Sequence, residues 1–279
     1  VRNLIVESLK SIFSETEKYV PLPSTKFMEK TNIDNPQYFH KVVDCQYACP
    51  AHTNVPEYIR LIAQKKYTDA YMLNWESNVF PGILGRVCDR PCEPACRRGR
   101  THEKSVAICR LKRVTYDYKD DVEKYIPQSP KVKNGKRIAL IGAGPASLTV
   151  ARDLLPLGYE CTIFEKDHKA GGLMRTNIPS FRLPADVLDE EIYRIINMGA
   201  ELKLNSYIEK LKPVIDEYDS VFIGTGAPKG KDLKLKGREI SSENIHIGID
   251  WLTSIAFEHV KKIGKKAVSY THLRAHETR

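Results

Sequence analysis

Short apolar runs and helically spaced apolar positions follow one another in the middle of the chain. Residues 138–141 and 161–164 are apolar runs of the length that is typical of buried parallel strands. Between them the apolar residues have helical spacing until residues 156–158 end the pattern. These residues are Leu148, Ala151, Leu154 and Leu155. The pattern predicts strand, helix and strand in succession, as in a parallel α/β fold.

Other segments carry patterns of the same two kinds. Two short helices are predicted over residues 55–65 and 67–75, with Asn54 as the N-cap of the first. The remaining predictions are an amphipathic helix over 1–19, a connection over 21–36, a helix over 184–198 that Gly199 ends, strands over 201–204 and 221–223, a helix over 251–260 and the start of a strand at 265–268.

A glycine-rich turn joins the strand at 138–141 to its helix. Gly142 permits a tight turn, and Gly144 lets the backbone approach a pyrophosphate that faces the helix N-terminus. Ser147 stands at the third position, where glycine or alanine is usual. Glu165 follows the next strand, about 20 residues on, where a carboxylate accepts hydrogen bonds from a ribose. The combination favours dinucleotide binding over an incidental glycine turn.

Composition places the chain among globular proteins. Its 279 residues have room for about two domains, and 42% of them are hydrophobic. No apolar run approaches the length of a membrane span, and the first residues lack a signal-peptide pattern. We therefore expect a cytoplasmic protein without a membrane span.

Basic residues are concentrated in one segment of this chain, whose net charge is +9. A nucleic-acid surface is one interpretation, but no aromatic residue interleaves the segment until Tyr116, and no nucleic-acid partner is expected. Compensation of an anionic metal cluster, an acidic protein partner and a solvated basic face stay open. The basic residues are Arg97, Arg98, Arg100, Lys104, Arg110, Lys112 and Arg113.

Six of the seven cysteines lie in the same region, which favours metal binding over disulfides in a cytoplasmic chain. Structural zinc sites usually present Cys-x2-Cys or Cys-x4-Cys pairs, whereas three residues separate the cysteines here. Pro50 follows Cys49, as is frequent at iron–sulfur clusters. We favour an iron–sulfur cluster, with zinc and buried free thiols as the alternatives. The six are Cys45, Cys49, Cys88, Cys92, Cys96 and Cys109.

Several motifs together resemble one known family. They are Cys45-x3-Cys49-Pro50, NVFPGILGRVCDRPCEPAC, VAI before Cys109, GAGPASL, GGLMRTNIPSFRLP from 171 to 184, and GTGA from 224 to 227. Over residues 40–268 the chain resembles the small (beta) subunit of glutamate synthase and the similar amino-terminal half of dihydropyrimidine dehydrogenase. The resemblance implies an α/β protein in which an N-terminal all-α iron–sulfur domain precedes a Rossmann-like FAD-binding domain.

The resemblance also implies which residues hold the cofactors. Cys49, Cys88 and Cys92 would ligate one [4Fe-4S] cluster, and Cys109 lies within a turn of the position that supplies the fourth ligand in relatives. FAD would contact both glycine turns and the loop at 171–174. The implied cofactor-binding residues are Gly142, Gly144, Pro145, Ala146, Ser147, Glu165, Lys166, Gly172, Leu173, Arg182, Gly224, Thr225 and Gly226.

The chain departs from the family pattern in its first cysteines. Residues 37–40 stand where the family has a Cys-x2-Cys pair, and they contain no cysteine. The second cluster would keep only Cys45 and Cys96, with His40 as an alternative ligand. We therefore expect one cluster and a degenerate second site.

The resemblance implies that the chain is a fragment. Residues 1–132 correspond to the helical iron–sulfur domain and residues 133–264 to the FAD-binding domain. Residues 265–268 correspond to the start of a truncated NAD(P)H-binding domain. Residues 269–279 are polar and have neither a glycine turn nor an apolar period, so we interpret them as a non-native tail.

These features predict an NAD(P)H-dependent oxidoreductase that passes electrons through FAD and a [4Fe-4S] cluster to a larger partner subunit. No side chain is expected to act as a catalytic acid, base or nucleophile, because the chemistry belongs to the cofactors. The alternative is a zinc-stabilised interaction module with a vestigial nucleotide-binding fold. A flavin disulfide reductase is not favoured, since Cys161 is the only cysteine of the FAD part and lies in a predicted strand.

Overall fold

The computed structural model describes residues 43–102, 104–230, 232, 237–240, 242–260, 266 and 268. Several predictions lie outside the described residues. They are the helix over 1–19, the connection over 21–36, the ligand role of His40, half of the strand at 265–268 and the tail at 269–279.

The first part of the described chain is helical. Its helices are α1 (Asp44–Ala48), α2 (Val55–Ala63), α3 (Tyr67–Ser77), α4 (Pro81–Val87), α5 (Arg98–Thr101) and α6 (Ile108–Asp117), and a 3₁₀ turn follows at Glu123–Tyr125. The two helices predicted from the sequence are confirmed as α2 and α3. Asn54 caps α2 as expected, because its side-chain oxygen accepts a hydrogen bond from the amide of Glu57 at 3.3 Å.

The second part is a parallel sheet with helices. Its elements are β1 (Arg137–Ile141), α7 (Pro145–Leu154), a 3₁₀ turn (Leu155–Leu157), β2 (Glu160–Phe164), α8 (Leu173–Thr176), α9 (Ala185–Ile196), β3 (Glu201–Lys203), α10 (Leu211–Glu217), β4 (Ser220–Ile223), a 3₁₀ turn (Ser242–Asn244) and α11 (Gly248–Ala256). The strands are all parallel, in the order β3-β2-β1-β4. The predicted strands and the helices over 184–198 and 251–260 are confirmed, although α11 starts and ends earlier than its pattern suggested.

The central strand pair explains why the glycine turn lies where it does. Leu140 of β1 and Ile163 of β2 are fully buried and paired in register, so the apolar runs form the middle of the sheet. Gly142 directly follows β1, and its positive φ of 94° favours glycine. The turn therefore opens at the carboxyl edge of the sheet, where parallel α/β folds bind ligands.

One hydrophobic core joins the helical part to the sheet. Tyr71, Phe80 and Ile83 of the helical part belong to the same buried cluster as Leu140 and Ile192 of the sheet part. The cysteine-rich helices are thus packed directly on the dinucleotide-binding fold. Among the helices that the structure describes, none is both long and apolar enough to span a membrane.

Candidate functional site

Four of the six clustered cysteines gather around the phenol ring of Tyr58. This tyrosine is completely buried and donates a hydrogen bond to the carbonyl of Ile108 at 3.1 Å. Burial raises its pKa far above the usual range, and the nearby Cys45, Cys49, Cys92 and Cys109 thiols raise it further. Residues that are up to 64 positions apart in the sequence, from 45 to 109, therefore converge on one buried place.

The Cys88 and Cys109 thiols interact with each other. Cys109 donates a hydrogen bond to Cys88, which lowers the pKa of Cys88 to about 5 and raises that of Cys109. The Cys109 thiol also faces the carbonyl of Gly85 at 3.5 Å. The structure thus brings Cys109 to the first residue after α4, where the sequence predicted that it would complete a ligand set.

Two glycines allow α4, which ends just before Cys88, to pack closely on α6, which carries Cys109. A β-carbon on Gly85 would meet the backbone nitrogen of Arg113 at 2.8 Å, and one on Gly82 would meet the ring of Tyr116 at 2.3 Å. Without side chains at 82 and 85, α4 packs against the α6 backbone at Arg113 and against the ring of Tyr116. This close approach sets the separation of the two thiols.

Cys92 has both Cys88 and Cys49 as neighbours. Burial, together with the Cys88 and Cys49 thiols, raises the pKa of Cys92 to about 11 against the opposing effect of Lys112. The sulfur of Cys49 lies 3.5 Å from the hydroxyl of Thr53, which is itself fully buried. The four predicted ligands Cys49, Cys88, Cys92 and Cys109 are therefore within electrostatic range of one another.

Cys45 also has Cys96 as a neighbour, and both of these thiols are half-buried. Burial and the neighbouring Cys96 thiol raise the pKa of Cys45. Next to them, Arg97 donates to the carboxylate of Asp44 at 3.2 Å, and Arg100 pairs with the same carboxylate at 3.1 Å. The basic run is thus partly neutralised in this region.

The buried thiols and the cation beside them fit an anionic iron–sulfur cluster. A structural zinc ion needs four ligands at about 2.3 Å from one centre. In the part of the chain that the structure describes, no group of three or more His, Cys, Asp or Glu side chains converges on a single-ion position. A cubane cluster carries its four thiolates on a larger body, and the net charge and solvent exposure of its surroundings tune its reduction potential. Cys92 and Cys109 are 7% exposed, and Lys112 is buried beside them.

The glycine turn forms the second candidate site. A β-carbon on Gly142 would meet the carbonyl oxygen of Gly224 at 2.7 Å, and one on Gly172 would meet the α-carbon of Gly144 at 2.8 Å. The amide of Gly171 donates to the carbonyl of Ala143 at 2.9 Å. The two glycine turns and the glycine loop, far apart in sequence, thus form one side-chain-free cradle at the N-terminus of α7, which is suited to a pyrophosphate.

Glu165 closes one side of this cradle. The structure places it at the end of β2, as expected, with 5% of its surface exposed. Its carboxylate accepts hydrogen bonds from the amide of Ala143 at 2.7 Å and from the amide of Asp167 at 3.1 Å. Each carboxylate oxygen can accept a second hydrogen bond, so the predicted role toward a ribose is compatible with these contacts.

Ser147 has a buried hydroxyl without a hydrogen-bond partner among the described residues. A β-carbon on Gly224 would lie 2.2 Å from this oxygen. A small residue is therefore needed at position 147 because its side chain lies against Gly224, in the turn that follows β4.

The other predicted cofactor-binding residues are partly or fully exposed. Leu173 is 54% exposed, and Gly172 reaches its conformation with a φ of 50°. The exposed or partly exposed members are Pro145, Ala146, Lys166, Leu173, Arg182, Thr225 and Gly226. Their surfaces are accessible to a ligand.

Three functional neighbours were missed by reasoning from the sequence. Tyr58 and Glu93 flank the thiols, with Glu93 accepting a hydrogen bond from the amide of Cys109 at 3.0 Å. Glu191 of α9 binds the start of α4. Glu191 had a signal in the sequence, because it stands among the apolar residues of an otherwise amphipathic helix.

The fold and these two sites define a class of protein: a helical cysteine domain for an iron–sulfur cluster, joined to a Rossmann-like dinucleotide-binding domain. Comparison with known families agrees with this class. Residues 38–124 match the family described as dihydropyrimidine dehydrogenase domain II, 4Fe-4S cluster, and residues 140–193 match an NAD(P)-binding Rossmann-like domain.

Three individual relatives show which proteins of this class the chain is similar to. The beta subunit of an NADPH-Fe(3+) oxidoreductase from Geobacter sulfurreducens is 32% identical over 85% of this chain and 37% of its own length. A homolog of the NAD-dependent dihydropyrimidine dehydrogenase subunit PreT from Salmonella typhi is 37% identical over 75% of this chain and 50% of its own length. The small chain of glutamate synthase [NADPH] from Bacillus subtilis is 31% identical over 74% of this chain and 42% of its own length.

The family resemblance seen in the sequence is thereby confirmed: glutamate synthase small chains and PreT-type dihydropyrimidine dehydrogenase subunits are homologues of this chain. The chain spans between 37% and 50% of the length of these three relatives. The matched part contains the 4Fe-4S domain and the Rossmann-like domain.

Proposed function

We propose that this chain is the cluster-binding and flavin-binding part of an NAD(P)H-dependent oxidoreductase subunit, with cytoplasmic location. Cys49, Cys88, Cys92 and Cys109 hold one [4Fe-4S] cluster, and FAD occupies the glycine cradle. When bound, the flavin would supply two-electron chemistry and the cluster one-electron chemistry, which suits a protein that converts hydride transfer into single-electron transfer. A larger partner subunit receives the electrons.

The observation that carries this proposal is the shared core. The helix that leads to Cys88 packs against α9 of the sheet, and α9 lies beside the glycine loop at 171–172. Two cofactors bound at the two sites would therefore be held by one packed unit. Such fixed placement is what the protein contributes to electron transfer between cofactors.

Some residues of the chain would bind the cofactors, and others would exclude water from them. The amides at the N-terminus of α7 face the cofactor phosphates, and Glu165 orients the ribose. Tyr58 fills the space beside the thiols and excludes solvent from them. The relatives are named as beta or small subunits, which supports the proposed partner subunit.

Metal and flavin analysis of protein purified without oxygen tests the proposal. We expect about four irons per chain, a broad visible absorption that dithionite bleaches, and FAD released on denaturation. Cys92→Ala should abolish the iron. The matched control is Cys161→Ala, because Cys161 is buried in β2 of the sheet and should leave the iron content unchanged. Colourless protein with about one zinc per chain would overturn the proposal in favour of the zinc-stabilised interaction module.

A further inference from the structure

Lys112 is a buried cation on the face of α6 that points into the cysteine region. It is 5% exposed, and it shares the buried face of this helix with Cys109, one turn earlier. Its neighbours Arg110 and Arg113 are exposed to solvent. The lysine is therefore the one basic residue of α6 that the fold removes from water.

The charge of Lys112 has no carboxylate partner in the described chain. Two acidic residues of this region are engaged elsewhere: Glu93 with Arg90 at 3.8 Å and with the amide of Cys109, and Asp117 with Arg86 at 2.7 Å. A buried lysine without a counter-charge is strongly disfavoured. The groups that do face it are thiols, since its positive charge lowers the pKa of Cys88, Cys92 and Cys109 alike.

We propose that Lys112 is the built-in counter-charge of a thiolate-ligated cluster at Cys88, Cys92 and Cys109, and that it raises the reduction potential of that cluster. This inference rests on the proposed function. A [4Fe-4S] cluster with thiolate ligands is anionic, and it gains one further negative charge when it accepts an electron. A fixed positive charge nearby stabilises the reduced state more than the oxidised one.

Neutralising this lysine should therefore make the cluster harder to reduce without removing it. In Lys112→Met we expect the ratio of reduced to oxidised cluster at a fixed potential to fall by about tenfold, which for a one-electron couple corresponds to about 59 mV. Lys112→Arg keeps the charge and should keep most of the potential. Arg110→Met is the matched control, because it removes an exposed charge from the same helix and should change the ratio little.

The experiment is an anaerobic redox titration of the 279-residue chain, followed by visible absorption, with iron analysis and circular dichroism on every variant. A lower potential in Lys112→Met and in Lys112→Gln, with Lys112→Arg and Arg110→Met near the original, supports the inference. Loss of iron in the two neutral variants but not in Lys112→Arg supports it as well, since the charge is then needed to hold the cluster.

Two outcomes would overturn it. An unchanged potential in Lys112→Met at full iron content means that the lysine does not act on the cluster. Loss of iron in the Met, Gln and Arg variants alike means that the shape of the side chain matters, and not its charge. Failure of the proposed function has a different signature, because the unsubstituted chain would then contain no iron.

Discussion

The carboxylate of Glu191 accepts a hydrogen bond from the backbone amide of Gly82 at 2.8 Å. Its second oxygen accepts one from the amide of Ile83 at 2.9 Å, and the hydroxyl of Tyr71 donates to the first at 3.0 Å. A fully enclosed acid of the sheet domain thus caps α4, whose last residue precedes Cys88. This contact orients the cysteine region on the dinucleotide fold.

Glu191→Gln is expected to lower the free energy of unfolding by about 1–3 kcal/mol. The amide group of glutamine would turn a donor toward one of the backbone amides of α4, so that two buried donors face each other. Urea denaturation measures the change. Glu217→Gln is the control, because the Glu217 side chain is 61% exposed, and its substitution should change stability by less than about 0.5 kcal/mol.

Glu191 should also make stability depend on pH. Burial raises its pKa from 4.5 to about 7, against the opposing effects of the α4 amides, Tyr71 and Arg194. Between these two values the folded state keeps a proton that the unfolded state has lost. The free energy of unfolding therefore falls as pH rises from about 4.5 to 7.

Denaturation at pH 5 and pH 8 measures this effect. The wild-type chain should lose on the order of 2 kcal/mol more than Glu191→Gln between these two pH values. Equal losses in the two proteins would mean that Glu191 is already ionised at pH 5 in the folded state.

Ser147 and Gly224 should show strong energetic coupling. A β-carbon at 224 would overlap the Ser147 oxygen at 2.2 Å, but it would lie 3.4 Å from the Ser147 β-carbon. Gly224→Ala alone should cost about 1–3 kcal/mol, and Ser147→Ala alone should be neutral or slightly stabilising, because it removes an unpaired buried hydroxyl.

The double variant should recover most of the loss at position 224, with an interaction energy of about 1 kcal/mol or more in a double-mutant cycle. Gly248→Ala is the control, since a β-carbon there meets nothing within 4 Å. If the double variant is as unstable as Gly224→Ala, the contact with Phe222 at 3.1 Å is the limiting one.

Local patterns predicted the sheet well, because its strands are short apolar runs and its turns contain glycine. The apolar residues of β1 and the positive φ of Gly142 each follow from the sequence around them. The cap of α2 by Asn54 was predictable for the same reason. Such features depend on neighbours within a few positions.

The geometry of the cysteine site could not be predicted in this way. The role of Gly85 appears only when α4 and α6 meet, and that of Lys112 only when its face of α6 is seen to be buried. In the sequence, Lys112 was one of seven basic residues, and nothing nearby distinguished it from Arg110. Burial of single residues in a short helix depends on tertiary packing, which periodicity describes only on average.

Gly85→Ala should separate the two helices that carry Cys88 and Cys109. The new β-carbon would lie 2.8 Å from the backbone of Arg113, and backbone cannot rotate away as a side chain can. We expect a loss of about 1–3 kcal/mol in stability together with reduced iron content. Gly99→Ala is the matched control in the same region, because its β-carbon would have only contacts at 4.0 Å with Ser105, and it should keep both.

Cys96→Ala should leave about four irons per chain, as in the unsubstituted protein. Cys96 lies beside Cys45, and the family resemblance leaves only these two cysteines for a second cluster, which is too few to hold one. Cys92→Ala is the contrasting variant, because Cys92 lies among the ligands proposed for the first cluster. Iron and sulfide analysis of both variants measures the difference. If the unsubstituted chain contains about eight irons and Cys96→Ala about four, the second site binds a cluster and the one-cluster interpretation is wrong.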